Sequence, residues 1–510
     1  MTKRTANRQL SMEAFFPTAK SSSSDPNLES SKRIKTSDPS ARNLHSDSPD
    51  APEWFDNKSV LIGKFGVPNK SAKIAAFDLD STLIKVKSKY KRPVDENDWV
   101  FHNKNVVKVL RSLHTEGYHI TVISNQRGLK INSDKERAKK LTRKSQLKTK
   151  ISNIAKQLDI PFYFYAATAN DFFRKPGIGL WHLMSIFAND HGQKIGKQVK
   201  GIMIHASTLY LDLDSCFYVG DAVGRPDNWR SGVPKDFADT DLKFALNANI
   251  KIYTPEEYFE NATDIPKIEI PQHPKAIVQS HNDSIDLGEY DGDRAQLYQE
   301  IRSNMASDKM TMVVMVGSPA SGKSTLVINE LVKDFGFERI NQVNNTNPNK
   351  ASRASFIAIG KKYGAKVYSA HVNVPKDLVK HNIAFRSFSK QAAEIIRFLG
   401  RNETGVSTPT QPTAPSTNKT AESQKTLLEG NDPKNMAFED IFNHLEKTSP
   451  ATDQLSIIAI HSFFSKFELP TKKEGFDNNY VVLFEPYFGK DGSTNSELAS
   501  VSDIWHMYLE

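Results

Sequence analysis

Two loops in this sequence carry residues suited to handling phosphate, and they differ in kind. The first, Asp78-Leu79-Asp80-Ser81-Thr82, follows the apolar run KIAAF. Carboxylates two residues apart at a strand end face the same side. One can then attack phosphorus while the other manages the proton on the leaving oxygen. The second, Gly317-Ser318-Pro319-Ala320-Ser321-Gly322-Lys323-Ser324, matches GxxxxGK[ST] in full, with the strand-like MTMVVMV before it and TLVINELVKDF after it. Backbone amides of such a loop cradle phosphates, Lys323 reaches the β/γ oxygens, and the Ser324 hydroxyl binds Mg²⁺. The first loop suits taking up a phosphoryl group, the second holding a nucleoside triphosphate.

A pair of aspartates is a weak signal by itself, and three later segments strengthen it. Ser124-Asn125 follows HITVI and supplies a hydroxyl and amide donors for phosphoryl oxygens. Lys175, in Arg174-Lys175-Pro176-Gly177, offers a cation against an aspartyl-phosphate. Asp221 ends FYVGD and gives a hard oxygen ligand for Mg²⁺. Taken singly, each has a plain structural reading: a helix cap, a solvated charge, a turn carboxylate. Leu211-Asp212-Leu213-Asp214-Ser215 repeats the Asp-x-Asp-Ser spelling, but Cys216 stands where the threonine belongs, so a loop entering the next strand explains it better.

These residues need strand ends to hold them. KIAAF, HITVIS, FYFYAA and CFYVG alternate with helical stretches between Trp54 and about Phe259, the signature of a parallel α/β sheet. The expected organisation is a tail over 1–52, a phosphatase-type domain over 53–260, a linker over 261–309, and a second α/β domain over 310–510. The tail is Ser-, Asn-, Asp- and Pro-rich and cannot bury enough surface to offset chain entropy, so disorder is expected there. The polar tract TGVSTPTQPTAPSTNKTAESQ marks a disordered insertion at about 400–435.

The order Asp-x-Asp-x-Thr, Ser, Lys, Gly-Asp, each at a strand end, resembles the haloacid-dehalogenase (HAD) phosphatase superfamily. A HAD-type Rossmannoid parallel-sheet domain followed by a P-loop kinase α/β domain resembles the eukaryotic polynucleotide kinase 3′-phosphatases, which prepare DNA break ends for ligation. The likeness extends through KIAAFDLDSTLI, VISNQ, FRKPGIGLW, FYVGDAVGRP, DLKFALN with TPEEYF, VGSPASGKST, NNTNP, LVKHNIAFR and FELPTKKEGF. It implies that Asp78 is the nucleophile, Asp80 the general acid/base, and Asp221 a Mg²⁺ ligand together with Asp78 and Asp80. Thr82 counts among the catalytic residues, Lys175 and Ser124 hold the phosphate, and Arg225 and Asp241 belong to the same site. In the kinase half it implies that Gly317, Gly322, Lys323, Ser324 and Thr325 bind ATP and that Arg386 is a phosphate-lid cation.

The resemblance breaks in two places. The family's kinase activates the 5′-hydroxyl with an aspartate in an Asn-Arg-Asp-Thr-like run. Here Phe337-Glu338-Arg339-Ile340-Asn341-Gln342 begins that run and passes straight to Val343-Asn344-Asn345-Thr346-Asn347-Pro348, with no Asp between Phe335 and Lys376. A segment carrying the base, a helix and much of a strand is absent. Conversely, extra sequence around 197–210 precedes the fourth motif. Either a gene-model error or divergence toward a crippled kinase accounts for both.

In the tail, Gln9, Met12, Phe15 and Phe16 resemble the peptide by which repair proteins dock on the sliding clamp PCNA, a helical turn presenting aromatic anchors. Lys32-Arg33-Ile34-Lys35 suits nuclear import as well as it suits a solvated cluster. The 68 Lys+Arg against 59 Asp+Glu favour an anionic partner such as DNA. A single cysteine, Cys216, excludes internal disulfides and fits a reducing compartment. No apolar run is long enough to span a membrane, and no secretory leader is visible.

The reading that follows is a nuclear, monomeric DNA end-processing enzyme that uses Mg²⁺ and ATP. It would hydrolyse 3′-phosphates and, if its kinase half is intact, phosphorylate 5′-hydroxyls. The alternatives are a small-metabolite phosphatase fused to an unrelated NTPase, a phosphatase-only enzyme, and a clamp-tethered scaffold whose ATP-binding domain is non-catalytic.

Overall fold

Each phosphate loop sits at the end of a parallel strand, in two separate sheets. The computed structural model describes residues 51–130, 133–188, 211–340, 346–399, 438–448, 451, 455–488 and 496–509. The clamp-type peptide, the extra stretch at 197–210, the junction at 341–345 and the tract at 400–435 lie outside the described residues.

The first sheet is made of short apolar strands. In chain order they are β1 (Glu53–Asp56), β2 (Val60–Phe65) and β3 (Ile74–Phe77), then a small flap of β4 (Ile84–Lys85) and β5 (Val100–Phe101), then β6 (His119–Asn125), β7 (Phe162–Ala167), β8 (Phe217–Val219) and β9 (Lys251–Tyr253). Helices α1 (Val106–Thr115), α2 (Asp134–Leu158), α3 (Gly179–Ala188), α4 (Thr240–Ala248) and α5 (Pro255–Glu260) connect them. The sheet order is β1-β2-β7-β6-β3-β8-β9. Central strands covered on both faces must be apolar throughout, and every residue of β3 and β7 is buried. The chain leaves β3 on one side to form β6 and returns on the other to form β8, both parallel to it. The crevice for a ligand opens at such a switch point, beyond the carboxyl ends of the strands.

The second sheet has the parallel order β10-β11-β12, from β10 (Thr311–Val316), β11 (Lys366–Asn373) and β12 (Asn478–Leu483). The expectation of a bare linker at 261–309 is corrected here. That stretch forms α6 (Pro274–Asp283) and α7 (Arg294–Ala306), and Leu297 and Ile301 of α7 are fully buried beside Tyr368, Ala370 and Val372 of β11. Asp293 and Gln296 cap α7 reciprocally, and Asp291 and Gly292 hydrogen-bond along the outer side of β12. The polar composition that suggested a linker belongs to the caps and exposed faces of these helices.

Beyond β10 the chain forms α8 (Lys323–Leu326), a wide π turn (Val327–Val332), α9 (Lys333–Phe335), α10 (Lys350–Lys362) and the long α11 (Lys376–Leu399). The last helices are α12 (Phe438–Glu446), α13 (Ile457–Lys466) and α14 (Ser496–Trp505). Among the described residues β10 has a strand partner on one side only. Its other edge is covered at one end, where Gly317 N donates to Thr346 O and the Asn347 side chain to Met315 O.

Each half has its own apolar core, and a further core is shared. Phe172, Trp181 and Met184 from the first half pack in one cluster with Phe388, Ala392 and Ile395 of α11 and with Ile504 and Met507. Asn247 exchanges two hydrogen bonds with the Tyr508 backbone, at 2.8 and 2.9 Å. Both halves lie in the single compact unit Asp47–Glu510.

Candidate active site

Asp78 is the first residue beyond β3, and its amide donates to Val219 O of β8, which ties the two strand ends together. Lys175 enters from the turn after β7, its ammonium buried and reaching three side chains. It lies 2.6 Å from Asp78 Oδ1, 2.8 Å from Asp241 Oδ1 and 2.6 Å from the Tyr218 hydroxyl. Asn125 fixes the Lys175 backbone in both directions, accepting from its amide and donating to its carbonyl, each at 3.0 Å. Thr82 Oγ1 donates to Asp221 Oδ1 at 3.2 Å. Gln126 Nε2 bridges the remaining pair, donating to Asp80 Oδ2 at 2.8 Å and to Ser124 Oγ at 3.0 Å.

Three carboxylates crowd one lysine. Asp78, Asp221 and Asp241 each bring an oxygen within 4.8 Å of the others. Burial pushes the Asp221 carboxyl up to about 7, aided by the Asp241 charge and opposed by Lys175 and Thr82. Burial likewise raises Asp78 well above the carboxylate range, against the pull of Lys175. With a single cation present, all three cannot ionise cheaply. The arrangement is one cationic charge short, and its hard oxygen donors suit Mg²⁺. The Asp80 carboxylate, expected in the metal set, is not among these three. It is exposed and turned to Gln126 at the mouth of the site, and Asp241 supplies the third oxygen.

Asp241 comes this close because Gly220 has no side chain: a Cβ there would meet Asp241 Oδ2 at 2.5 Å. Asp241 is anchored in the first turn of α4 by its own amide to Ala222 O and by Ala222 N to its Oδ2. Arg225 does not face the carboxylates. Its guanidinium is held by Asp236 at 3.0 Å and Glu256 at 2.9 Å, and it braces the Asp221 carbonyl at 3.1 Å. The repeated Asp212–Ser215 spelling is a turn into β8, with Ser215 bonded to Asp212.

The second loop holds a cavity of about 770 Å³ lined by Gly322, Lys323, Ser324, Thr325, Asn382 and Arg386, among others. Gly317 and Gly322 adopt φ of +149° and +93°, and a Cβ on Gly317 would strike the Val372 carbonyl at 2.7 Å. Lys323 folds onto its own loop, donating to Gly317 O and Ser318 O at 2.8 and 2.6 Å, and burial lowers its ammonium to about 8. Arg339 donates to Ser324 Oγ at 3.3 Å. The acids on this cavity are Glu330, held by Tyr298 and Arg294, and Glu485, held by Arg294. No aspartate lines it among the described residues.

The structure thus brings together Asp78, Asp221, Asp241, Lys175 and Thr82, with the exposed Asp80 and the buried Ser124 both bonded to Gln126. Sequence reasoning passed over Gln126, Asn125 as a brace for Lys175, and Tyr218. Gln126 stood inside the VISNQ motif. A tyrosine in an apolar strand gives no signal in sequence.

The family model "Polynucleotide kinase 3 phosphatase" matches residues 73–259. A bifunctional polynucleotide phosphatase/kinase of Schizosaccharomyces pombe is 32% identical over 90% of this chain and 88% of its own length. The polynucleotide 3′-phosphatase ZDP of Arabidopsis thaliana is 28% identical over 48% of this chain and 32% of its own. A polynucleotide 3′-phosphatase of Saccharomyces mikatae is 29% identical over 37% of this chain and 84% of its own. At 32% identity over nearly the whole length of the Schizosaccharomyces pombe protein, the chain belongs to the family of bifunctional polynucleotide phosphatase/kinases.

Proposed function

We propose that this protein processes nucleic-acid ends, hydrolysing 3′-phosphates on DNA with its first half and carrying an ATP-dependent 5′-hydroxyl kinase fold in its second. The observation that carries the reading is the buried Asp78–Lys175–Asp241 cluster with Asp221, set beside Asp80 in a chain aligned almost end to end with a bifunctional relative.

In the first step an Asp78 oxygen attacks phosphorus and the bond to the 3′-oxygen breaks. That oxygen takes its proton from Asp80, and the phosphoryl group rests on Asp78 as an acyl phosphate. In the second step Asp80, now ionised, takes a proton from water, whose oxygen attacks the same phosphorus. Inorganic phosphate leaves and Asp78 is restored. Lys175 holds a phosphoryl oxygen throughout, and Ser124 donates to another. Asp78, Asp221 and Asp241 would hold Mg²⁺, which, when bound, neutralises charge on the transferring group.

Release of phosphate from a 3′-phosphoryl nick tests this. Asp78→Ala should lose on the order of 10³-fold or more, and an undiminished rate would overturn the nucleophile assignment. For the kinase half, the cradle supports ATP binding, whereas among the described residues the acids of the cavity, Glu330 and Glu485, are both paired with Arg294 and no aspartate stands ready to activate the acceptor. Transfer from ATP to a 5′-hydroxyl nick should therefore be feeble beside 3′-dephosphorylation. Robust transfer lost in Lys323→Ala would mean that another residue serves as base.

The finer reading adds a nuclear location and docking on the sliding clamp through Gln9, Met12, Phe15 and Phe16, supported by the spacing of those residues. If Phe15→Ala with Phe16→Ala left clamp binding intact, that docking would be excluded.

A further inference from the structure

The motif reading places Mg²⁺ on the Ser324 hydroxyl, but the residues around the P-loop cavity do not fit that ion. A P-loop cation rests on the loop's serine or threonine and on an aspartate from elsewhere in the sheet. No aspartate occurs between Phe335 and Lys376, the stretch that carries the chain from α9 through β11. Glu338, the one acid of that stretch, does not line the cavity. The acids that do, Glu330 and Glu485, are both paired with Arg294. At the end of β11 stands a neutral side chain, Asn373, bonded to His281 at 3.2 Å. Mg²⁺ beside a nucleotide takes one or two carboxylates as well as phosphate oxygens. Among the described residues this cavity offers it only the hydroxyl.

That hydroxyl is already met by a cation of the chain. Arg339 Nη2 donates to Ser324 Oγ at 3.3 Å, and among the described residues Arg339 makes no ion pair. The approach is built into the fold. α9 stops at Gly336, whose φ of +70° turns the chain. Gly336 N bonds to Val332 O, the left-handed stop of a helix, and Phe337 N bonds back to Leu331 O. Phe335 and Phe337 both pack against the core of this half, and the Phe335 ring lies 5.0 Å from that of Tyr298. The chain is thereby laid back along the helix it has just left, and Arg339 arrives at the turn that begins with Lys323 and Ser324.

We infer that Arg339 stands in for the divalent cation of this loop. Its guanidinium, resting on Ser324, contacts the terminal phosphates of the nucleotide, so that the chain binds ATP without Mg²⁺. This inference rests on the ATP-cradle reading of the second half. A guanidinium presents paired, planar N–H donors that match phosphate oxygens, and it keeps its charge at any working pH. Lys323 and Arg386 line the same cavity, so three cations face the phosphate chain. A Mg²⁺ ion at Ser324 would sit against the Arg339 charge, and like charges repel. The two cations therefore compete for one oxygen.

The test is calorimetric titration of the full chain with ATP, once in chelator and once in excess Mg²⁺. Wild type should bind ATP in chelator nearly as tightly as it binds MgATP. Arg339→Gln should lose on the order of tenfold or more of the chelator affinity, the loss of one charge-assisted contact. It should bind MgATP as tightly as wild type or more so, because Ser324 is then clear for the ion. Arg339→Lys keeps the charge without the fork and should recover part of the loss. The substituted position is exposed, and an unchanged thermal midpoint confirms folding. If wild type needs Mg²⁺ for binding, or if Arg339→Gln in chelator binds ATP as wild type does, Arg339 does not replace the metal. An equal loss in both conditions would also overturn the inference, since Arg339 would then add to the metal instead of replacing it. If wild type binds neither form, the ATP-cradle reading fails instead.

Discussion

At the scale of single residues, the candidate site depends on how Lys175 is held. Tyr218 is fully buried, donates to Ile123 O at 3.0 Å and accepts from the Lys175 ammonium at 2.6 Å. A hydrogen bond to a charged group contributes about 1.5–3 kcal/mol. Tyr218→Phe is therefore expected to lower kcat for 3′-phosphate release by roughly tenfold, with KM for the oligonucleotide far less affected. A rise in KM alone would show that the hydroxyl is not needed to aim the ammonium. The Asp221 carboxyl yields a pH prediction. Its folded value of about 7 lies above the usual carboxylate range, so protonation favours the folded state. That stabilisation is whole below about pH 4 and is lost as pH rises through 7. In chelator the thermal midpoint should fall between pH 5 and 8, and Mg²⁺ should lessen the fall. A midpoint that does not change with pH in chelator would contradict the crowding of these carboxylates. Asp78 and Asp221 were legible in the sequence because each follows a strand in a recognisable motif, and Lys175 because the run FRKPG marks its turn beyond β7. Tyr218 was not, because its partner is 43 residues away and is met only through the sheet.

At the scale of elements, strand patterning was legible. KIAAF, HITVIS, FYFYAA and CFYVG all became strands because central parallel strands must be apolar along their whole length. The helices α6 and α7 were hidden because their buried residues are few and separated by caps. The flap was hidden for a different reason. Its strands are two residues each, and its loop is closed by one carboxylate, Asp98, beside the buried Trp99, which leaves no alternating apolar pattern to read. Asp98→Ala removes the acceptor for three bonds and leaves two backbone amides without their partner. It should loosen the flap, seen as faster amide exchange over residues 86–98, and raise KM for oligonucleotides while sparing the carboxylate cluster. Amide protection like that of wild type would mean that Trp99 packing alone holds the flap.

At the scale of the whole molecule, the chain does not divide cleanly where its motifs suggest. Phe388 of α11 lies 6.1 Å from Phe172, and Gln391 of the same helix accepts from Phe172 N, three residues before Lys175. Phe388→Ala should cost about 3–5 kcal/mol and lower the midpoint at which both halves unfold. Loss of the kinase half alone, with 3′-phosphatase activity persisting at that temperature, would show that the shared core does not couple them. By the same reasoning, residues 53–260 expressed alone should expose the apolar surface around Trp181 and aggregate. Nothing in the sequence disclosed this, since the pairing joins segments more than 200 residues apart.

α11 has a longer consequence. One face of this helix lines the cavity above the P-loop through Asn382, Arg386 and Ser389, while Phe388 and Gln391 support the segment that leads to Lys175. A lineage that stopped needing the kinase reaction could shed the acceptor base and its strand, yet it could not discard the domain. Phosphatase function would keep selecting for the helix, and the ATP cradle would persist as an inherited passenger of the scaffold.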